Sequence, residues 1–277
     1  MDYAVALPTG GECGDPSFLV ELAGMAERRG WDGVMLEDYV LYQGDSAMPT
    51  CNTWIALAAI AVKTQRLRLI VGVTPLARRR PWNVAREAAG VDQLSGGRMV
   101  LGVGLGDVGQ IGSDASFTHF GEETDARLRA ELLDEALTVI AGLWRGEPFS
   151  FRGKHFRVDE VSFLPRPVQI PRIPIWIGGG YPARRPVERA LRWDGSCLYK
   201  AGEGDMTAAD VADLRARGGT RFTIAVGGRP RKDDWDEDRE HIRSVRSAGA
   251  DWWVEWVPPE DRETMRAAVE RGPLRVD

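Results

Sequence analysis

Cysteine and histidine are both scarce in this chain of 277 residues, with three of each. Cys13, Cys51 and Cys197 lie far apart and form no C-x-x-C pair, so neither a disulfide framework nor a thiolate metal site is expected, and buried free thiols are the better reading. His119, His155 and His241 are equally isolated and lack H-E-x-x-H spacing, so no metal is expected. A basic excess is missing as well: the formal net charge is -5, which argues against nucleic acid as the main partner. No apolar run approaches the roughly 20 residues that a membrane span requires. Met1–Pro8 reads as a short alternating strand without the charged-then-apolar order of a signal peptide, and a soluble, cytoplasmic protein is the expectation. There is no G-x-S-x-G elbow, Walker loop or Cys–His arrangement, so hydrolase and triphosphatase chemistries lack a nucleophile or a cradle. No low-complexity linker or solenoid repeat divides the chain, which is read as one domain over residues 1–277.

What is present is a globular composition, 43% apolar with charges of both signs. Short β-rich segments alternate with longer segments of helical period, the pattern of βαβ units and a parallel sheet. Eight strands are expected at about Asp2–Leu7, Gly33–Glu37, Leu67–Val73, Met99–Leu105, Ile173–Ile177, Asp194–Tyr199, Phe222–Val226 and Trp252–Val257. Eight such strands predict a closed α/β barrel, the (β/α)8 or TIM barrel fold. Helices open at Asp15-Pro16 and at Pro81, and Leu128, Leu132, Ala136, Ile140 and Leu143 make the apolar stripe of a longer one. The connection between the fourth and fifth strands carries an insertion at about 147–172, rich in proline and phenylalanine. It is expected as a hairpin and an extended stretch lying over one end of the barrel.

Alternation along the fourth strand sends Met99, Leu101, Val103 and Leu105 to the helix layer and Val100, Gly102, Gly104 and Gly106 inward. The same parity puts Ala4, Ala6, Gly72, Gly178, Gly180 and Gly227 inward, and with them Glu37 and Glu255. A barrel interior is normally filled by branched side chains, so small residues on several strands suggest room for something large and flat. Each glycine alone is better explained by a strand-to-loop turn, and it is their coincidence on several strands that points to a hollow. The two carboxylates would flank the hollow as a general base or polar contact, although a salt bridge to arginine explains either equally well. Gly104-Leu105-Gly106-Asp107-Val108-Gly109 matches G-x-G-x-x-G, but no apolar helix follows it and no acidic residue ends a later strand, which argues against a dinucleotide fold. Gly178-Gly179-Gly180, followed by a helix start at Arg184-Arg185-Pro186, has the makings of a phosphate site: open backbone N–H groups, a helix N-terminus and guanidinium groups. For the cluster Arg78-Arg79-Arg80 a solvated or interfacial role is favoured over ligation. A bare pocket with few reactive side chains suggests that a cofactor does the chemistry.

Several segments together form a family pattern: Thr74-Pro75-Leu76, Arg80-Pro81-Trp82, Asp92-Gln93-Leu94-Ser95-Gly96-Gly97-Arg98, Leu101 to Gly106, Leu143 to Pro148, Leu164 to Gln169, Ile173 to Gly179, and Trp193-Asp194-Gly195. In this order they resemble the bacterial luciferase-like flavin oxidoreductases over nearly the whole chain. The resemblance implies a flavin ring over the carboxyl ends of the strands, held by Gly72, Val73, Thr74, Gly104 and Gly106. It places the phosphate between Gly178, Gly179, Gly180, Arg184 and Arg185, and a non-proline cis peptide at Gly72-Val73. It also implies an FMN-dependent monooxygenase that uses molecular oxygen and a small organic substrate, with a separate flavin reductase and a homodimeric assembly. A deazaflavin (coenzyme F-420) enzyme that transfers hydride is the alternative, and a non-catalytic flavin-binding protein is a third. Where many relatives carry Asp-His or Glu-His after the second strand, this chain has Glu37-Asp38-Tyr39-Val40, which removes a usual proton-handling histidine. Glu37, Tyr39, Tyr199 and Glu255 are the polar residues assigned to orientation or acid–base work.

Overall fold

The computed structural model of the chain describes residues 1–106 and 115–277. Eight strands form the expected closed barrel: β1 (Asp2–Leu7), β2 (Gly33–Leu36), β3 (Arg68–Pro75), β4 (Met99–Gly104), β7 (Ile175–Tyr181), β8 (Gly195–Lys200), β9 (Thr223–Arg229) and β10 (Trp252–Trp256). Their order around the cylinder is β1-β10-β9-β8-β7-β4-β3-β2, and every neighbouring pair is parallel. The helices between them begin where side chains can take up free backbone N–H groups. Asp15 accepts from Ser17 ahead of Pro16–Arg28, and Asn52 accepts from Trp54 and Ile55 ahead of Thr53–Lys63. Thr207 and Asp210 close a reciprocal capping box ahead of Ala208–Gly218.

The barrel separates two layers of core. Outward residues such as Leu101, Val103, Ile175 and Ile177 meet the helices, while Ala4, Ile70, Val100, Trp176 and Trp252 fill the interior. Trp176 and Trp252 lie against each other with ring centroids 5.9 Å apart. A Cβ at Gly195 would come within 2.9 Å of Trp176, and one at Gly33 within 3.0 Å of Trp252, so these glycines make space for the two indoles. Together they plug the amino end of the cylinder, and the carboxyl end stays open.

The third strand breaks step with the fourth. Its register shifts between Val71 and Thr74, and the Gly72-Val73 peptide is cis, as the resemblance implied. The chain presses inward here: a Cβ on Gly102 would sit 2.0 Å from the Val71 carbonyl oxygen, and one on Gly178 would sit 2.7 Å from the Val73 side chain. Part of the room that the inward glycines provide is therefore taken by this bulge of β3.

The insertion holds the expected hairpin, β5 (Phe149–Arg152) antiparallel to β6 (Arg157–Val161), but it does not cover an end of the barrel. Helix carboxylates draw it to the flank instead. Glu135 accepts from the backbone N–H groups of Lys154, His155 and Phe156 at 2.7, 2.9 and 3.0 Å, and the fully buried Asp92 accepts from those of Val168 and Gln169 at 2.8 and 3.1 Å. Among the described residues, no helix is long and apolar enough to cross a membrane.

Candidate active site

A cavity of about 650 Å³ opens at the carboxyl end of the barrel, with all eight barrel strands or the residues just beyond them contributing to its wall. That size falls within the range usual for small-molecule sites. Glu37, Tyr39, Tyr199, Gly72, Val73, Gly104, Gly106, Gly178, Gly179 and Gly180 all line it. Ten of the assigned positions therefore meet in one place, and six of them, Glu37, Gly72, Gly104, Gly106, Gly178 and Gly180, are ones that strand parity turned inward.

Four assigned positions lie elsewhere. Glu255 faces outward, because β10 alternates as Trp252, Val254 and Trp256 inward against Trp253 and Glu255 outward. Its buried carboxylate is held by Arg231, whose Nε and Nη2 donate at 3.0 and 2.8 Å, and by Arg271 at 2.8 Å. The salt-bridge explanation applies there. Arg184 is 85% exposed and pairs with Glu188 one turn along its own helix, and Arg185 borders a separate surface depression. Thr74 is fully buried and donates to Asp38 behind the cavity wall. The tail of the G-x-G-x-x-G match, Asp107 to Gly109, lies outside the described residues.

Sequence reasoning missed four arginines in or beside the cavity. Arg78, expected to be solvated, lines the cavity, donates to the Asp38 carbonyl oxygen and stacks on Phe117 with 5.2 Å from guanidinium carbon to ring centroid. Burial lowers its pKa. Arg79, from the same cluster, pairs with the Asp38 carboxylate at 2.9 Å and with Glu87 at 2.7 Å. Arg189, on the helix that follows the glycine triplet, reaches the cavity while gripping Asp134 through Nε and Nη2 at 2.8 and 3.0 Å. Arg129 also borders the cavity, and its Nη1 donates to the carbonyl oxygens of Leu105 and Gly106. The helix containing Arg129 was legible in the sequence, but its apolar stripe was read through Leu128 and Leu132 and left out Arg129, whose long side chain carries its charge across to the end of β4.

Glu37 stands apart electrostatically. Its Oε2 is sealed from solvent without a hydrogen-bond partner, and desolvation lifts its pKa to about 7. Tyr42 opposes this rise, yet its own buried hydroxyl does not complete a hydrogen bond. Below about pH 7 the side chain is a neutral acid, and above it a carboxylate with little to neutralise it. That is the behaviour of a group able both to take and to give a proton near neutrality. Cys197, which also lines the cavity, is the opposite case: burial pushes its thiol up to about 12, leaving it inert as a nucleophile.

A parallel eight-stranded barrel serves many chemistries, so fold alone does not identify this one. Residues 2–253 match the family model described as luciferase-like monooxygenase. The chain belongs to the luciferase-like monooxygenase family. Among curated relatives, F420-dependent glucose-6-phosphate dehydrogenase of Microbacterium testaceum is 33% identical over 172 residues, 61% of this chain and 48% of that protein. F420-dependent hydroxymycolic acid dehydrogenase of Mycobacterium tuberculosis is 33% identical over 165 residues, 59% of this chain and 44% of that protein. The chain thus spans about half the length of the curated relatives it matches. Among solved structures, an F420-dependent secondary alcohol dehydrogenase bound to an F420-acetone adduct superposes with a TM-score of 0.78 at 17% identity, covering 100% of this chain and 99% of that one. The monooxygenase RslO1 from Streptomyces bottropensis gives 0.76 at 20% identity, covering 97% and 96%. An F420-dependent dehydrogenase and a monooxygenase therefore share this fold, and the superpositions do not discriminate between them.

Proposed function

We propose that the protein is a deazaflavin (F420)-dependent oxidoreductase that interconverts a small organic alcohol and its carbonyl compound. The observation that carries the reading is Glu37: an unpartnered, desolvated carboxyl in the wall of a ligand-sized cavity, with a pKa of about 7. Alcohol oxidation removes a proton from oxygen and a hydride from carbon, and so needs one proton acceptor and one hydride acceptor. Glu37 meets the first need. The cavity suits the second, because its wall includes Gly72, Gly104, Gly178 and Gly180, where a flat ring can approach the backbone closely. Bound F420 would supply the hydride chemistry, held by the glycines of β4 and β7, with Arg189 and Arg129 among the cations that line the cavity.

The dehydrogenase names of the curated relatives support F420 over the FMN and oxygen chemistry expected from the resemblance. Under this reading Glu37, in its anionic form, takes the hydroxyl proton while Tyr39 and Tyr199 border the substrate. Buried surroundings keep bulk water from competing for that proton. A flavin reductase is not required, because the substrate itself reduces the cofactor. A homodimer remains part of the proposal, to be checked by sedimentation.

The test is to titrate the purified protein with F420 and with FMN, then add a panel of small secondary alcohols to whichever binds. Bleaching of the oxidised deazaflavin absorbance that depends on alcohol, and is lost in Glu37→Gln, is the expected result. Tight FMN binding with alcohol-independent oxygen uptake, and no affinity for F420, would overturn the proposal in favour of a monooxygenase.

A further inference from the structure

Buried polar atoms nearly always find a partner, so two unsatisfied ones side by side call for an explanation. Glu37 and Tyr42 are such a pair. Tyr42 is fully buried and its hydroxyl, like Glu37 Oε2, completes no hydrogen bond. The ring is not free to look elsewhere: a Cβ at Gly10 would lie 2.2 Å from it, Tyr39 packs edge-on at 5.2 Å between centroids, and the Tyr42 backbone N–H donates to Thr50 Oγ1 at 3.0 Å. The main chain that carries the carboxyl is held too, because Thr53 Oγ1 donates to the Glu37 backbone carbonyl oxygen at 2.5 Å.

We propose that Tyr42 is a positioning residue for Glu37: its hydroxyl closes onto the carboxylate when Glu37 is ionised and lets go when Glu37 is protonated. This inference rests on the acid–base role given to Glu37 above and goes beyond it, by naming a group that sets the ionisation of that carboxyl. A phenol is an apt partner. It donates to a carboxylate but stays neutral itself, since burial and the nearby Glu37, Tyr39 and Cys13 all raise its pKa. Among the described residues, Tyr42 is the one titratable group with a resolved effect on Glu37, and desolvation is the larger influence. Catalytic hydrogen bonds are often long in ligand-free structures and tighten on binding.

The sign of the effect is fixed. A hydrogen bond to the ionised form favours it, so Tyr42 holds the Glu37 pKa below the value that burial alone would set. Removing the hydroxyl must raise the midpoint.

The experiment is an infrared titration of the protonated-carboxyl band of Glu37 in protein free of cofactor and substrate, with the band identified by its loss in Glu37→Gln. Tyr42→Phe is expected to move the midpoint up by about one pH unit, the size expected for one hydrogen bond to a charged group. Site-specific fluorotyrosine at position 42, isosteric but a stronger donor, moves it down and serves if the phenylalanine variant folds poorly. A midpoint unchanged by both replacements overturns the inference. If the infrared midpoint moves while the pH profile of kcat/KM does not, the pairing stands and the catalytic role of Glu37 falls.

Discussion

Glu255 offers the sharpest check on the reasoning, because strand parity placed it in the active site and the structure places it in the shell around the barrel. Its carboxylate and the Arg231 side chain are each only 2% exposed, whereas Arg271 is 31% exposed. In Glu255→Gln the amide keeps the shape but loses the charge. Arg271 can swing to solvent, so the cost falls mainly on Arg231, which keeps only the Gly272 carbonyl oxygen at 2.7 Å and the Trp235 ring at 5.0 Å. Breaking one side of a buried pair typically costs about 3–5 kcal/mol. At roughly 2–4 °C per kcal/mol for a chain near this size, the expected fall in Tm is roughly 6–20 °C. Calorimetry or thermal circular dichroism measures it. The double replacement Glu255→Met with Arg231→Met removes both charges and should recover most of the loss, because apolar residues often replace a buried pair without penalty. A single variant within about 0.5 kcal/mol of the parent, or one that keeps its stability and loses turnover, would refute the structural role and return Glu255 to the chemistry.

The other predictions concern the cavity and its frame. Glu37→Gln should cut kcat by roughly 10²–10⁴-fold with cofactor affinity unchanged, as read in steady-state and binding assays. In the parent protein, kcat/KM for alcohol oxidation should fall about tenfold per pH unit below about pH 7, where the base is lost. The same residue links stability to pH. Its folded pKa is raised from 4.5 to about 7, so the folded state holds the proton more tightly and stability declines as pH rises through that window. The penalty, complete above about pH 7, is on the order of 3 kcal/mol, so in urea titrations Glu37→Gln should be the more stable protein at pH 8 and lose that advantage by pH 4.5. Gly102→Ala should destabilise by about 1–3 kcal/mol or more in denaturant titration, because its methyl group would meet the Val71 carbonyl oxygen at 2.0 Å. Arg184→Ala, which breaks only an exposed pair, should leave stability within about 0.5 kcal/mol and cofactor affinity unchanged by fluorescence titration.

The barrel was legible because eight β-rich segments recur with helical stretches between them, and parity was legible wherever glycine or alanine alternated with branched residues, as on β1 and β4. It failed on β10, where Trp-Trp-Val-Glu-Trp is bulky on both faces. A parallel strand buried on both sides carries no polar stripe to say which face is which. The carboxyl ends of β7 and β9 run past their expected limits, to Tyr181 and Arg229, because their glycines read as loop. Paired arginines were hard to foresee for a different reason. Whether Arg78 or Arg184 faces the cavity depends on a long flexible side chain and on the position of one carboxylate partner, neither of which a one-dimensional pattern records. The departure at Glu37-Asp38-Tyr39 was visible at once, but Tyr42 gained meaning only when the fold pressed it against Gly10.

The paired indoles at the base of the cylinder make it a vessel with a single opening. Two ligands that share such a vessel cannot pass one another, so the one seated deeper enters first and departs last. A cofactor lying on the floor formed by β3, β4 and β7 would stay through many turnovers, while substrates exchange above it past Tyr39 and Tyr199.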